Sequence, residues 1–403
     1  MHNNLAITVD MGTTNCKVSL FESDNGKLLD RKIFPTYKLT DNFGELFDYK
    51  RIFNELLKVF YQFAAERDRI DSISFATVGE SGVLMNENGD IITPMIAWYD
   101  TRSKEYIDML TDEEKRMIYE ITGLPAHTNY SLSKIKWLFE HYKLDLNQKY
   151  YWLSVPDLFV YLLTSQIKTE YSIASRTMCL DLSKKKWSQE ILEIFKLQDQ
   201  LILPKILPAG TTIGYVNKEK YGGFKNNDIS VKIAGHDHKV GAYGLGLKNN
   251  HILNSTGTTE GILLVTDELQ INEKQYEYST SNGIHTDPKQ YTLFSSMPSG
   301  GNVFRWYNDL FRIDYDFLNY KIERLFQEYC SDEFTLMGHE VIIPHFNGSG
   351  APFKNGFSKG LSYNLTLNTT RDEILMGLIL GLALEMKHVG KCFDIKNKGP
   401  ISI

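Results

Sequence analysis

Apolar and polar positions along this 403-residue chain fall into short strand-like runs and longer helix-like faces. Leu5-Ala-Ile-Thr-Val-Asp10 reads as a strand, and Cys16-Lys-Val-Ser-Leu-Phe21 returns from it after Met11-Gly12-Thr13-Thr14. Asp24-Asn25-Gly26 is a two-residue-turn signal, which predicts a third antiparallel strand from Leu28 to Phe34. From Tyr49 to Arg67 the apolar positions Ile52, Phe53, Leu56, Leu57, Phe60, Phe63 and Ala64 recur at helical spacing, so one face is buried. Ile70 to Thr77 is the next strand. Later, Ile229, Val231 and Ile233 form a short strand that stops at Gly235, and Gly241, Ala242, Gly244 and Gly246 suit close packing. His251–Asn254 and Gly261–Val265 are two more strands. Val303–Phe311 is an amphipathic helix, and Thr370-Arg-Asp-Glu373 is a capping box that opens a long helix, Ile374 to Lys391.

Two of these strand pairs carry the same corner. Gly12-Thr13-Thr14 and Gly257-Thr258-Thr259 stand 245 residues apart, each between a strand and its return. Such a turn is a phosphate cradle: backbone N–H groups and hydroxyls converge, and the glycine leaves them open. The repeat implies two domains of related plan, 1–246 and 247–403. The first copy has Asp10 where the second has Ser255, and a carboxylate beside a phosphate turn suits magnesium, which is held by few protein oxygens. Asp237, flanked by His236 and His238, follows a strand end, where open α/β folds place their chemistry.

Asp10-Met-Gly-Thr-Thr, Gly235-His-Asp237 and Thr256-Gly-Thr-Thr, in this order, resemble the two phosphate motifs and the catalytic-aspartate motif of the FGGY carbohydrate kinases. The resemblance implies an α/β fold of two actin-like (ribonuclease H-like) domains with a cleft between them. It also implies ATP-dependent phosphorylation of a hydroxyl on a sugar or polyol, with Mg²⁺. Asp237 would be the catalytic base and Asp10 the metal-side group. Gly12, Thr13, Thr14, Lys17, Gly257, Thr258, Thr259 and Gly301 would face the nucleotide. Glu80, Ser81, Trp98, Asn129, Asp237 and His238 would line the sugar pocket, Trp98 through a motif similar to the family's Trp-X-Asp-X-Arg. Gly79-Glu80-Ser81-Gly82 departs from the Gly-Gln-Met-His-Gly of many ketose kinases, which leaves the sugar open. Pro156–Thr164 and Thr169–Asp181 follow the family pattern too, and their expected role is scaffold.

Composition narrows the setting. A net charge of −6 without a basic cluster argues against a nucleic-acid partner. The longest uncharged apolar run, Ile374 to Leu384, is too short to span a bilayer. Four dispersed cysteines fit reduced thiols, and a cytoplasmic setting is expected. The chain carries no Gly-Gly-Gly adenosine motif, so the second domain is expected to be incomplete. Leu378, Leu382 and Met386 would then be exposed, favouring a homodimer, and nucleotide binding would be weak. Rival readings are a metal pair at His236 and His238, a catalytically inactive sugar-binding homologue, and a chaperone or filament ATPase of the same superfold.

Overall fold

The computed structural model describes residues 4–66, 69–224, 228–257, 259–331, 340–393 and 401–402. The chain forms two compact units: Met1–Gly246 with Asp267–Leu269 and Asn282–Thr292, and Leu247–Thr266 with Gln270–Ser281 and Leu293–Ile403. Both are α/β, in keeping with the expected actin-like plan.

The first unit is built on a six-stranded sheet in the order Thr212–Tyr215, Ser230–His236, Ile70–Thr77, Leu5–Met11, Asn15–Glu22, Leu28–Pro35. Ser230–His236, Ile70–Thr77 and Leu5–Met11 run parallel, and the last three strands of that order form an antiparallel meander. Ile7, Val9, Ile73, Phe75, Val231 and Ile233 are almost wholly buried, because alternate strand positions face the core. Helices Tyr49–Glu66 and Val155–Thr164 share that core, where Phe53 stacks on Phe159 with ring centroids 5.9 Å apart. The link from Glu22 to Leu28 is longer than the expected two-residue turn. Residues 23–27 form it, closed by Gly26 N–H to the Glu22 carbonyl, with Gly26 at φ 71°.

Two further features differ from expectation. The strand at 230 does not stop at Gly235 but runs through His236, with a register shift between Ile233 and Gly235. Gly235 has φ +132°, and a Cβ there would meet Ser172 Oγ at 2.5 Å and Glu170 Oε1 at 2.8 Å. The irregularity turns the chain so that Asp237 opens a helix, Asp237–Gly244. That helix buries Lys239 and Ala242, one turn apart. Gly241 and Gly244 consequently fall on its open side, and a Cβ at either, or at Gly246, would touch nothing within 4 Å. They are not close-packing positions within this unit.

In the second unit, Leu293–Met297 of the strand Tyr291–Met297, Glu260–Thr266 and Ile252–Thr256 lie side by side, with Ile401–Ser402 parallel to Ile252–Thr256. Ile252–Thr256 and Glu260–Thr266 form an antiparallel hairpin like the one that opens the chain. Helices Gly301–Phe311, Tyr315–Tyr329 and Arg371–Val389 share one apolar core. Leu378 is fully buried and Leu382 7% exposed, against the expectation that both would be uncovered, and Met386 is partly buried against the same cluster. The cause is strand Val341–Ile343, which packs along the last helix so closely that a Cβ on Gly381 would lie 1.8 Å from the Ile342 carbonyl oxygen. That helix face therefore supplies no argument for a homodimer. Among the described residues no helix is long and apolar enough to cross a membrane.

Candidate functional site

Met11, Thr77 and His236 are register partners at the carboxyl ends of the three parallel strands. Everything that leaves this edge is therefore adjacent: the turn at 12–14, the segment 78–82 and Asp237. This is where open α/β sheets bind ligands, because strand ends present loops and helix starts together.

The Asp237 carboxylate is 20% exposed and accepts from the His238 backbone N–H at 2.7 Å. His236 Nδ1 stands 3.0 Å and His238 Nε2 4.0 Å from the same oxygen. Burial alone would raise its pKa, but the charges of His238 and His236 and their hydrogen bonds outweigh burial, and the carboxyl lies well below the usual range. Burial lowers the pKa of His236 itself, against the pull of Asp237.

Three residues past Thr77, beyond the end of the adjacent strand, stands Glu80, at φ 62° in the left-handed region that non-glycine residues rarely occupy. Arg176 holds it, donating from Nε at 2.7 Å to Glu80 Oε1, with a terminal nitrogen 2.6 Å from the same oxygen. The Arg176 guanidinium lies 5.1 Å from the centre of the Tyr130 ring, and Ser131 Oγ donates to the Glu80 carbonyl at 2.9 Å. Ser81 is fully enclosed. Asn129 is partly buried, and its carbonyl receives Lys134 Nζ at 2.9 Å.

Trp98 connects two groups that sequence reasoning kept apart, since its Nε1–H donates to Thr13 Oγ1 at 2.9 Å. Asp100 and Arg102, two and four residues on, instead form a buried ion cluster with Asp41 and the Glu45 backbone N–H. Gly12 closes its turn by donating to the Asn15 carbonyl at 3.0 Å, and Thr36 Oγ1 donates to the Gly12 carbonyl at 2.7 Å. Asp10 and Lys17 face each other across the hairpin, paired at 3.1 Å and each about half-exposed. One accessible carboxylate beside the Gly-Thr-Thr turn is a hard-oxygen donor whose chemistry fits a magnesium ion held by few protein oxygens.

In the second unit Gly257 and Gly301 come together, with Gly301 N–H donating to the Gly257 carbonyl at 2.8 Å. Gly300 permits this approach: a Cβ there would sit 2.8 Å from the Thr259 carbonyl carbon. Thr258 lies outside the described residues.

Sequence reasoning missed Arg176, Lys239, Glu170 and Ser172. Ser172 Oγ receives the His236 N–H at 2.8 Å, and the Lys239 ammonium donates to Ser175 Oγ at 2.8 Å. Burial drives Lys239 below and Glu170 above their ordinary pKa values. For Glu170 and Arg176 the available signal was charge inside a segment otherwise read as packed scaffold, Thr169 to Asp181; Ser172 and Lys239 gave none.

An α/β chain of two units, each opening on a hairpin with a Gly-Thr-Thr corner, has the two-domain actin-like fold. Residues 5–244 match the model of the N-terminal domain of the FGGY family of carbohydrate kinases, and residues 252–402 match that of its C-terminal domain. The chain belongs to that family and is a carbohydrate kinase. It is 26% identical over 407 residues to glycerol kinase from Enterococcus casseliflavus, covering 96% of this chain and 77% of that protein. Glycerol kinase from Thermococcus onnurineus is 24% identical over 394 residues, covering 95% and 77%. Among solved structures, ligand-bound xylulose kinase from Lactobacillus acidophilus superposes with a TM-score of 0.84 at 22% identity, covering 99% of this chain and 80% of that one. Plasmodium falciparum glycerol kinase with ADP gives 0.83 at 18%, covering 97% and 78%.

Proposed function

We propose that this chain transfers the terminal phosphoryl group of ATP to a hydroxyl of a polyol or ketose, with Asp237 orienting that hydroxyl and accepting its proton. The observation that carries the reading is a carboxylate at a strand end, flanked by two histidines that lower its pKa and within electrostatic reach of Arg176. So acidic a group is a weak base toward a free alcohol. It suits a loose phosphoryl-transfer transition state, in which the attacking oxygen becomes acidic only as the new bond forms. Before that, Asp237 positions the hydroxyl; during transfer it takes the proton.

Glu80, Ser81, Trp98, Asn129 and His238 would surround the acceptor. Gly12, Thr13, Thr14 and Lys17, with Gly257, Thr258, Thr259 and Gly301, would receive phosphate oxygens. Asp10 would hold Mg²⁺, which when bound supplies charge neutralisation on the phosphates.

Asp237→Asn keeps the shape and removes the proton acceptor. Turnover on the best of a panel of polyols and ketoses with Mg-ATP should fall by about two to four decades, while calorimetric sugar binding persists. Turnover near the wild-type rate would reject the assignment.

A further inference from the structure

We propose that the Glu80–Arg176 ion pair restricts the acceptor to uncharged polyols and sugars and excludes sugar acids. This rests on the reading of the Asp237 site as the acceptor site. Glu80 and Asp237 each present carboxylate oxygen, to which a neutral hydroxyl can donate. A carboxylate on the acceptor would meet two like charges and would need a cation with donors to spare.

Among the described residues each nearby cation already has an anionic, hydroxyl or carbonyl partner. Arg176 places Nε and one terminal nitrogen on Glu80 and lies against the Tyr130 ring. Lys134 Nζ is enclosed by the carbonyls of Thr128, Asn129 and Tyr130. Lys239 Nζ is held by Ser175 Oγ and the Ser172 carbonyl. His236 and His238 flank Asp237.

The pair is also locked in place. A Cβ on Gly79 would come within 2.9 Å of His236 Cδ2 and 3.2 Å of Arg176 Cβ, so this glycine lets the three segments meet. A residue at positive φ persists when its surroundings over-determine it, and Glu80 is held at both its side chain and its carbonyl. Releasing Arg176 from Glu80 would leave a buried guanidinium next to the acceptor, fitted to a carboxylate.

The test is calorimetric titration, without ATP, of two matched sets: glycerol, xylitol and sorbitol against glycerate, xylonate and gluconate. The wild-type chain should bind its best neutral ligand at least about tenfold more tightly than the matched acid, since a hydrogen bond to a charged group is worth at least that much. Glu80→Gln should abolish or reverse the preference. A folded Glu80→Gln protein, judged by its melting transition, that gains no affinity for the acid would overturn the proposal. So would wild-type binding of acid and neutral ligands alike, whatever the variant does. If Glu80→Gln does not fold, the double variant Glu80→Gln/Arg176→Gln removes both charges. It should bind neutral ligands and gain nothing for acids, and a gain there would identify a cation other than Arg176. Binding of neither set would sink this proposal and the acceptor site with it, whereas binding of acids would sink this one alone.

Discussion

A single tryptophan shows how the site differs from its parts. Read as a sequence, Trp98 belonged to the sugar alone, but its indole N–H is bonded to Thr13 in the first Gly-Thr-Thr turn, the turn proposed to receive phosphate. Trp98→Phe keeps the ring and removes the bond, whose loss corresponds to about 1 kcal/mol, or roughly fivefold. The KM for ATP should rise by about that factor in steady-state kinetics; a rise confined to the sugar KM would return Trp98 to the acceptor side only. A second residue concerns pH. Asp157 is fully buried in the capping box of helix Val155–Thr164, its Oδ2 accepting from the Ser154 N–H at 3.0 Å. Burial raises its pKa to about 8. The folded state therefore holds its proton where the unfolded chain has lost it. The stability this contributes is fully present below the ordinary carboxylate value, declines above it, and is lost as pH rises through about 8. Asp157→Asn cannot ionise, so denaturant midpoints should favour the variant increasingly from pH 5 to pH 8, by on the order of 1 kcal/mol per unit. Parallel pH profiles would refute this.

Among the elements, helix Arg371–Val389 is closely constrained by backbone on one face. Gly377 and Gly381 are four apart on one face, and strand Val341–Ile343 lies against that face. A Cβ at Gly377 would meet the Glu340 carbonyl oxygen at 2.9 Å, and one at Gly381 the Ile342 carbonyl oxygen at 1.8 Å. Backbone cannot yield as a flexible side chain does. Gly381→Ala should accordingly destabilise the second unit by about 1–3 kcal/mol or more, and Gly377→Ala by less. Chemical denaturation followed by circular dichroism reads both; a neutral Gly381→Ala would mean that the helix and strand separate without loss.

For the molecule as a whole, every proposed acceptor-side residue lies in the first unit: Glu80, Ser81, Trp98, Asn129, Asp237 and His238. The pocket should therefore be formed before nucleotide arrives. A polyol or ketose at a hundred times its Kd, without ATP, should stabilise the chain by about 2.7 kcal/mol, visible as a rise in Tm. Asp237→Asn should retain most of that rise, because its amide still bonds a hydroxyl. No shift with any neutral ligand until ATP is added would mean that nucleotide builds the pocket.

Strand and helix identity, the two Gly-Thr-Thr hairpins and the family were legible in the chain itself, because each is a local pattern. Alternation sets which face of Leu5–Met11 is buried, and a glycine followed by two threonines between a strand and its return is visible in both copies. Arg176 was not legible, since it reaches Glu80 across 96 residues and only the packing of Thr169–Asp181 against the strand ends brings them together. Nor was the burial of Leu378 and Leu382, which depends on the backbone of Glu340 and Ile342 pressing onto Gly377 and Gly381. Local propensity belongs to the sequence; which charge neutralises which, and which apolar face is covered, are decided when distant segments share one interior.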